Sequence, residues 1–478
     1  MATEVESNEQ ADPTTPVESR KSWWDERTGW SSFVNAVFRR QVPAGLSWWY
    51  SLGAATLFVF VLQLVTGILL SLNYAPTPDT AYDSVLFINS QVPFGWFIRG
   101  LHHWGASAMV VLVVAHMVSA FVLGAHRAPR EVTWGIGVCL LLITMAFGFT
   151  GYLLPWDQKA YWATTVGTNM AGTFPLIGST LLRLLRGGAD VGAVTLTQFY
   201  SIHVLILPLF LLSLVLAHLA LVIYHGVSVP PGIWARLKGS YAERYKHAKE
   251  HGPAFWPEVI ADDLRLSAII FVILIVLSVV AGPSLEARAD PTDTAYIPRP
   301  EWYFLALFEL LKFFPGSLEW LGVIVVPGAV IATLFLAPAL SRGVERRPLK
   351  RPAGLATVAV LLLAGGGLTF AAAAETPPTV VVEHGRVLTS MQLRGKQLIA
   401  EQGCTGCHVI NGQGGNKGPV LDGIKDRMTA ADIHFFMEKP TALNPAAVMQ
   451  PLIPPLTHED VESITQYLLT LDSGTTAP

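Results

Sequence analysis

Charge is what this chain has least of. Only 14% of its 478 residues are Asp, Glu, Lys or Arg, 51% are hydrophobic, and the formal net charge is −3. Soluble domains carry about 25% charged residues, so the composition excludes an ordinary water-facing surface and fits a polytopic membrane protein. The mean hydropathy of +0.44 agrees. Cysteine is scarce too: three residues in the whole chain cannot build a disulfide scaffold. A net charge near zero supplies no broad basic surface, and nucleic acid is not expected as a partner. Before Arg20 the chain is rich in Glu, Pro and Thr, too polar to bury a core and without the pattern of a cleavable signal.

Apolar length, by contrast, is abundant. Seven windows, 46–73, 100–124, 133–153, 200–224, 265–282, 320–340 and 354–374, each hold roughly 20 apolar residues with few charges, enough to cross a hydrocarbon core of about 30 Å as a helix. The fold class expected is all-α, with seven transmembrane helices. Loop charge gives the orientation. Lys and Arg near the span ends number about 14 on the side of Arg39, Arg40, Arg127, Arg130 and the loops 236–249 and 342–351, against about seven on the other side. The positive-inside rule then puts the N-terminus in the cytoplasm, and an odd number of spans puts the C-terminus outside. After Glu375 the long apolar runs stop, and about 100 residues of mixed composition follow, enough for a small domain. The last window also reads as a secretory signal, with a basic start, an apolar middle and small residues up to Ala374. Its length and the count of seven favour an uncut span.

The tail contains CTGCH. Cys404 and Cys407 alone fit a redox disulfide or half a zinc site, but His408 directly after them completes the attachment pattern of a c-type haem. Two thiolates add to the vinyl groups of one porphyrin while the next side chain reaches the iron. A thioether commonly fills the sixth position and raises the potential. Met428, Met437 and Met449 are available. Met449 is favoured because NPAAVMQPLIPPLT is a proline-rich loop, with no helix face to keep sulfur from iron. Met437, in the amphipathic IHFFMEKP, reads as core, and Cys139, alone inside a span, reads as packing.

Two spans carry histidine where apolar side chains belong. In LHHWGASAMVVLVVAHM, His102 and His116 lie 14 residues apart, about 21 Å along a helix axis and within roughly 40° of one face. In SIHVLILPLFLLSLVLAHLA, His203 and His218 lie 15 apart, about 22.5 Å and roughly 60° round. A lone intramembrane histidine is often a hydrogen-bonded packing residue, but ionisable groups are costly there and two matched pairs ask for a reason. Two bis-histidine haems between paired helices, one near each membrane face, supply it. His102 with His203 would hold the outer haem and His116 with His218 the inner one. His103, about 100° round from His102, would touch only the rim of the site.

GWFIRGLHHWGAS, FTGYLLPWDQKAYWA, TLTQFYSIHVLILP and PRPEWYFLALFELLK resemble the signature segments of cytochrome b from the cytochrome bc complexes, the quinol:cytochrome c reductases, between residues 30 and 375. The 15-residue histidine spacing resembles the chloroplast-type and Gram-positive branch, which divides the protein into a four-helix haem subunit and a three-helix subunit. Composition gives a disordered segment 1–29 and, with CTGCH, a small α-helical cytochrome c domain 376–478, and the resemblance implies between them a dihaem four-helix domain 30–235 and a three-helix domain 236–375. The cofactors expected are two noncovalent haems b and, from CTGCH, one covalent haem c with His408 and Met449 as its axial ligands. The substrate implied is a quinol, menaquinol by the lean of the branch.

PEWY, comprising Pro300, Glu301, Trp302 and Tyr303, is the quinol oxidation site of that family, so the resemblance implies that Glu301 takes a quinol proton outward. A carboxylate at an apolar edge can accept and release protons. Tyr152 and Tyr303 line the same pocket in this reading, and a second quinone site at the inner face would lie near His225, Arg39 and Asp262. Arg99 is carried over as a cation for the haem propionates, although an arginine snorkelling at a span end reads the same way. Two departures stand out: Ser51 replaces the Cys that binds an extra haem in the chloroplast-type proteins, and Gln198 stands where the family usually has Arg. The implied whole is the cytochrome b/c subunit of a proton-translocating quinol:cytochrome c oxidoreductase in the bacterial cell membrane. Its implied partners are membrane lipid, a Rieske iron–sulfur subunit, a second copy of the complex, and a soluble or membrane-bound cytochrome c or terminal oxidase. Two other classes share some of these residues. A dihaem membrane anchor of a quinone-linked dehydrogenase has no need of PEWY or a c domain, and a non-enzymatic tethered carrier would use its spans only as an anchor.

Overall fold

The computed structural model describes residues 23–291, 296, 299–341, 343–375, 381–383, 386–415, 417–439 and 456–471. Among these residues, seven helices are long and apolar enough to cross a membrane: α1 Trp48–Ser71, α2 Gly95–Val122, α3 Glu131–Tyr152, α4 Ala193–His225, α5 Phe255–Val280, α6 Leu321–Leu340 and α7 Pro352–Ala374. Each apolar window of the sequence falls on one of them. Helices α4 and α5 start well before their windows because their opening turns are too polar to count as apolar length, and in α5 that opening is kinked at Trp256, whose backbone is extended.

Helix α4 is not a regular α-helix throughout. Ile202–Ile206 forms a π-turn, closed by the Leu207 N–H on the Ile202 carbonyl. A wide turn of this kind takes up one extra residue with little added rotation of the helix face. Pro208 follows at once and has no N–H to give to an α-type bond. The extra residue lies between His203 and His218, so their spacing of 15 turns the helix as 14 would. A regular helix overstates their angular offset for this reason.

The bundle is α1 to α4, with α1 along α2, α3 along α4, and α2 touching α3. Helix α5 lies on α1 and α2, where Leu274 packs among Leu52, Ala55, Val59, Leu101 and Leu112. Helix α6 lies on α3, where Ala337 meets Met117, Trp134 and Val138. Helix α7 packs on the short helix Leu305–Leu311. Leu205, Leu209, Phe210 and Leu216 of α4 and Ile269, Ile273 and Val276 of α5 point outward. Such a belt of apolar side chains suits hydrocarbon rather than water.

Polar ties fix the loops at both faces. At one face, the chain after α5 clamps the turn after α3: the Gln158 N–H reaches the Ala287 carbonyl at 2.9 Å and the Ala289 N–H reaches the Trp156 carbonyl at 3.1 Å. Asp157 completes the clamp, accepting from the N–H groups of Ala160 at 2.9 Å and Glu286 at 3.2 Å. At the other face the buried Arg346 lies 3.9 Å over the Trp234 ring and donates to the Ala128 carbonyl at 3.2 Å. Burial pulls its pKa down to about 10.

The C-terminal domain packs three short helices, α8 Ser390–Glu401, α9 Ala430–Glu438 and α10 His458–Leu468, around Leu398, Ile433, Ile464 and Leu468. Each opens on a capping box, Thr389 with Gln392, Thr429 with Asp432 and Thr457 with Asp460, which satisfies the first free N–H groups. Two small antiparallel hairpins, Val381–Glu383 with Arg386–Leu388 and Val409–Ile410 with Gln413–Gly414, are the strands among the described residues.

Candidate functional site

The four span histidines pair across the bundle. Ring centres lie 6.4 Å apart for His102 and His203 and 6.5 Å for His116 and His218. That gap is too wide for contact and right for one metal ion between them: two metal–nitrogen bonds of about 2 Å, plus roughly 1.2 Å from each nitrogen to its ring centre, give about 6.4 Å.

Glycine makes room beside three of the four rings, and at the fourth it stands at ordinary contact distance. A Cβ on Gly67 would lie 3.2 Å from His102 Cε1, on Gly53 3.1 Å from His116 Cε1, on Gly151 2.7 Å from His203 Cε1, and on Gly137 3.8 Å from His218 Cε1. A side chain at Gly67, Gly53 or Gly151 would press on its imidazole, so glycine there keeps the rings clear, as a porphyrin between them would require. Gly53 and Gly67 are 14 residues apart, as are Gly137 and Gly151, the spacing of His102 and His116. Sequence reasoning passed over these glycines, although their period was there to find.

Thr66 and Thr150, also unforeseen, set the ring tautomers of the first rung. Their hydroxyls donate to the carbonyls of Leu62 at 2.7 Å and Ala146 at 2.9 Å. A hydroxyl has one proton to give. Toward His102 Nδ1 at 3.0 Å and His203 Nδ1 at 2.9 Å each threonine is therefore the acceptor, and the imidazole donates. With Nδ1 carrying the proton, Nε2 keeps its lone pair for a metal. His103 turns to Trp104, ring centres 5.2 Å apart. Arg99 donates to the carbonyls of Pro283 and Ser284, both at 3.0 Å, tying α2 to the clamp. Gln198 Oε1 is buried with no hydrogen-bond partner, an acceptor where a cation would have been a donor.

PEWY begins the turn Trp302–Phe304, closed by the Phe304 N–H on the Glu301 carbonyl at 2.8 Å. Trp302 Nε1 donates to Ser107 Oγ of α2 at 3.2 Å, and Glu301 Oε1 accepts from Lys159 Nζ at 2.6 Å. Tyr303 lies against Gly148, where a Cβ would come 2.8 Å from its ring. The Tyr152, Phe149 and Phe304 rings line the same corner. Gly148 meets Tyr303 and Gly151 meets His203, so PEWY and the His102–His203 rung use adjacent residues of one turn of α3. Behind Lys159, the carboxyls of the buried Asp157 and the half-buried Glu286 are pushed up by burial, and Glu286 accepts the Tyr296 hydroxyl at 2.7 Å.

At the opposite end of the bundle Arg39 is exposed, and Asp262 pairs with Arg265 on the surface at 2.5 Å. Their neighbours face inward instead: Arg40 donates to the Ile223 carbonyl at 3.4 Å, and Asp263 is half-buried where Asp262 is exposed. His225 contributes its backbone carbonyl, bonded by Arg130 at 3.2 Å and Tyr241 at 3.3 Å.

In the C-terminal domain Cys404 opens the tight turn Cys404–Gly406, and the His408 N–H reaches back to the Cys404 carbonyl at 3.0 Å. His408 Nδ1 donates to the Pro419 carbonyl at 2.9 Å, again leaving Nε2 free. Gly418 supplies the slot, since a Cβ there would lie 2.5 Å from His408 Cε1. Both thiols are unpaired, and burial raises the pKa of Cys404. Among the described residues no further His, Cys, Asp or Glu joins them as a metal cluster. Met428 and Met437 pack on the domain core, and Met449 lies outside the described residues.

Seven apolar helices around two imidazole rungs, with a thiol-pair turn on a separate helical domain, define a multi-pass membrane protein that binds haem and carries electrons. The family model Cytochrome b/b6/petB matches residues 37–226, Cytochrome b(C-terminal)/b6/petD matches 288–392, and Cytochrome c matches 392–472. The cytochrome bc complex cytochrome b subunit of Chlorobaculum thiosulfatiphilum is 37% identical over 352 residues, 71% of this chain and 78% of that protein. Cytochrome b6 of Synechococcus elongatus is 41% identical over 208 residues, 44% of this chain and 97% of that protein. Among solved structures, a chain of a hyperthermophilic respiratory Complex III matches with a TM-score of 0.65 and 28% identity, over 75% of this chain and 91% of its own. The chain belongs to the cytochrome b family of the cytochrome bc complexes, oxidoreductase assemblies of several subunits, and carries a cytochrome c domain behind the cytochrome b part.

Proposed function

We propose that this chain is the cytochrome b/c subunit of a menaquinol:cytochrome c oxidoreductase that oxidises quinol at the outer face of a bacterial cytoplasmic membrane. The N-terminus lies inside and the cytochrome c domain, 376–478, outside. The observation that carries this reading is the meeting of PEWY and the His203 rung on one turn of α3, through Gly148 and Gly151. A donor of two electrons and two protons needs a proton acceptor and an electron acceptor side by side.

His102 with His203 and His116 with His218 hold two haems b, and Cys404, Cys407, His408 and Met449 hold one haem c. When bound, the b haems supply one-electron transfer between the two faces and the c haem supplies the outward branch. Thr66 and Thr150 keep Nε2 of the outer histidines free to ligate. Glu301 accepts the quinol proton and releases it outward. Tyr152, Tyr303 and Phe304 wall the pocket with rings and exclude water. Trp302 anchors the turn on α2, and Pro300 sets its entry. A Rieske iron–sulfur subunit takes the first electron toward a soluble or membrane-bound acceptor, and quinone is reduced at the inner face beside the His218 rung. The complex works as a homodimer. A dihaem anchor would leave PEWY and the c domain without a task.

The pyridine haemochrome spectrum of the purified complex tests this. Two haems b are expected per haem c, and His203→Leu should lose one haem b while keeping the c haem. Retention of both haems b in that variant would overturn the pairing.

A further inference from the structure

Lys159 contacts the proposed proton acceptor and has no part in the function above. Its ammonium meets Glu301 at 2.6 Å across 142 residues of sequence, with side-chain exposures of 29% and 19%. Surface ion pairs of long side chains contribute little because both ends must be ordered. Here the backbone does much of the ordering. Lys159 follows Asp157 and Gln158, both bonded into the clamp, and Glu301 begins the closed turn Trp302–Phe304. The pair also stands beside the Tyr152 and Tyr303 rings rather than in open water, where an unpartnered carboxylate would be costly.

We propose that Lys159 is a positioning residue for quinol oxidation, holding the Glu301 carboxylate by Oε1 so that Oε2 is left free to receive the substrate proton. This rests on the quinol reading of Glu301. A carboxylate has about four lone-pair sites, and one ammonium bond leaves the second oxygen available. In the step itself the quinol O–H bond breaks, its proton bonds to Glu301, and the bonding electron pair stays on the quinol oxygen, from which the electrons leave as above. The ammonium then faces a neutral acid. Asp157 and Glu286 lie behind Lys159 within electrostatic reach and offer it a second anionic neighbourhood, while Tyr152, Tyr303 and His103 face Glu301. When Glu301 gives its proton to outer water, the carboxylate is drawn back to Lys159 and the site is reset.

The test uses the intact complex, with a short-chain naphthoquinol as donor and reduction of the c haem as the signal. Glu301→Gln should slow kcat by about 10 to 100-fold. Lys159→Met should slow it by about 10-fold with little change in KM, and Lys159→Arg should restore it. Lys159→Met added to Glu301→Gln should cost nothing more, because the cation then has no carboxylate to hold. Redox-induced infrared difference spectra give a second readout: the carboxylate band abolished by Glu301→Gln should shift in Lys159→Met and stay in Lys159→Arg. Haem content serves as the folding control, with Lys159→Gln as an alternative variant. Equal slowing by Lys159→Met in both backgrounds, or full kcat in Lys159→Met beside a slow Glu301→Gln, would overturn the role of Lys159 alone. Full turnover in Glu301→Gln would overturn the reading of Glu301 and the role of Lys159 with it.

Discussion

Gly151 carries a constraint that only the assembled bundle reveals: any side chain at this position must displace an imidazole. Its Cβ would stand 2.7 Å from His203 Cε1, whereas a Cβ on Gly135 of the same helix meets nothing within 4 Å. Gly151→Ala should therefore shift or abolish one b-haem band in the reduced-minus-oxidised spectrum, and Gly135→Ala should leave the spectrum unchanged. Equal spectra would show that the slot is not needed. The histidines and CTGCH were legible because ligation demands particular residue types at particular spacings. Thr66 and Thr150 were not, because threonine bonded to its own preceding turn is ordinary in any helix. The face opposite PEWY shows a finer limit. One residue is 100° of helix, and at polar span ends no periodicity says whether Arg39 or Arg40, Asp262 or Asp263, turns inward.

Among the elements, the spans were read well because length alone separates a membrane helix from the other helices. Their contacts were not, since apolar stretches look alike whichever neighbour they meet. The 286–290 side of the clamp on 156–159 carries no motif, and two of the bonds that join them run backbone to backbone, invisible to residue type. Yet it decides where Lys159 stands. The helices of the C-terminal domain announce themselves through Thr389, Thr429 and Thr457, each three residues before a side chain that bonds back.

At the scale of the whole chain, what matters is whether the c domain stays attached. Ala374 ends α7, and the helix end is held by Arg299, which donates to the Ala372 carbonyl at 2.8 Å, and by Lys312, which pairs with Glu375 and with Glu309 at 2.7 Å. A processing enzyme binds its substrate as extended chain, and these bonds would have to break first. Covalent haem should therefore run with the 51.9 kDa chain on a denaturing gel stained for haem. A stained band only at the size of the tail would show that the chain is cut.

The π-turn after His203 has a consequence for the gene. A helix that already holds one surplus residue can lose a codon there and close up as plain α-helix. Deletion of Leu205 would leave the histidines of α4 14 positions apart, the spacing that α2 already uses. Deletion of Val111, in the regular α2, has no surplus to draw on and would swing His116 round by about 100°. Of the two in-frame losses, the first should keep both b haems in a haemochrome spectrum and the second should lose the His116–His218 haem, so natural length variation in this protein should collect between His203 and Pro208.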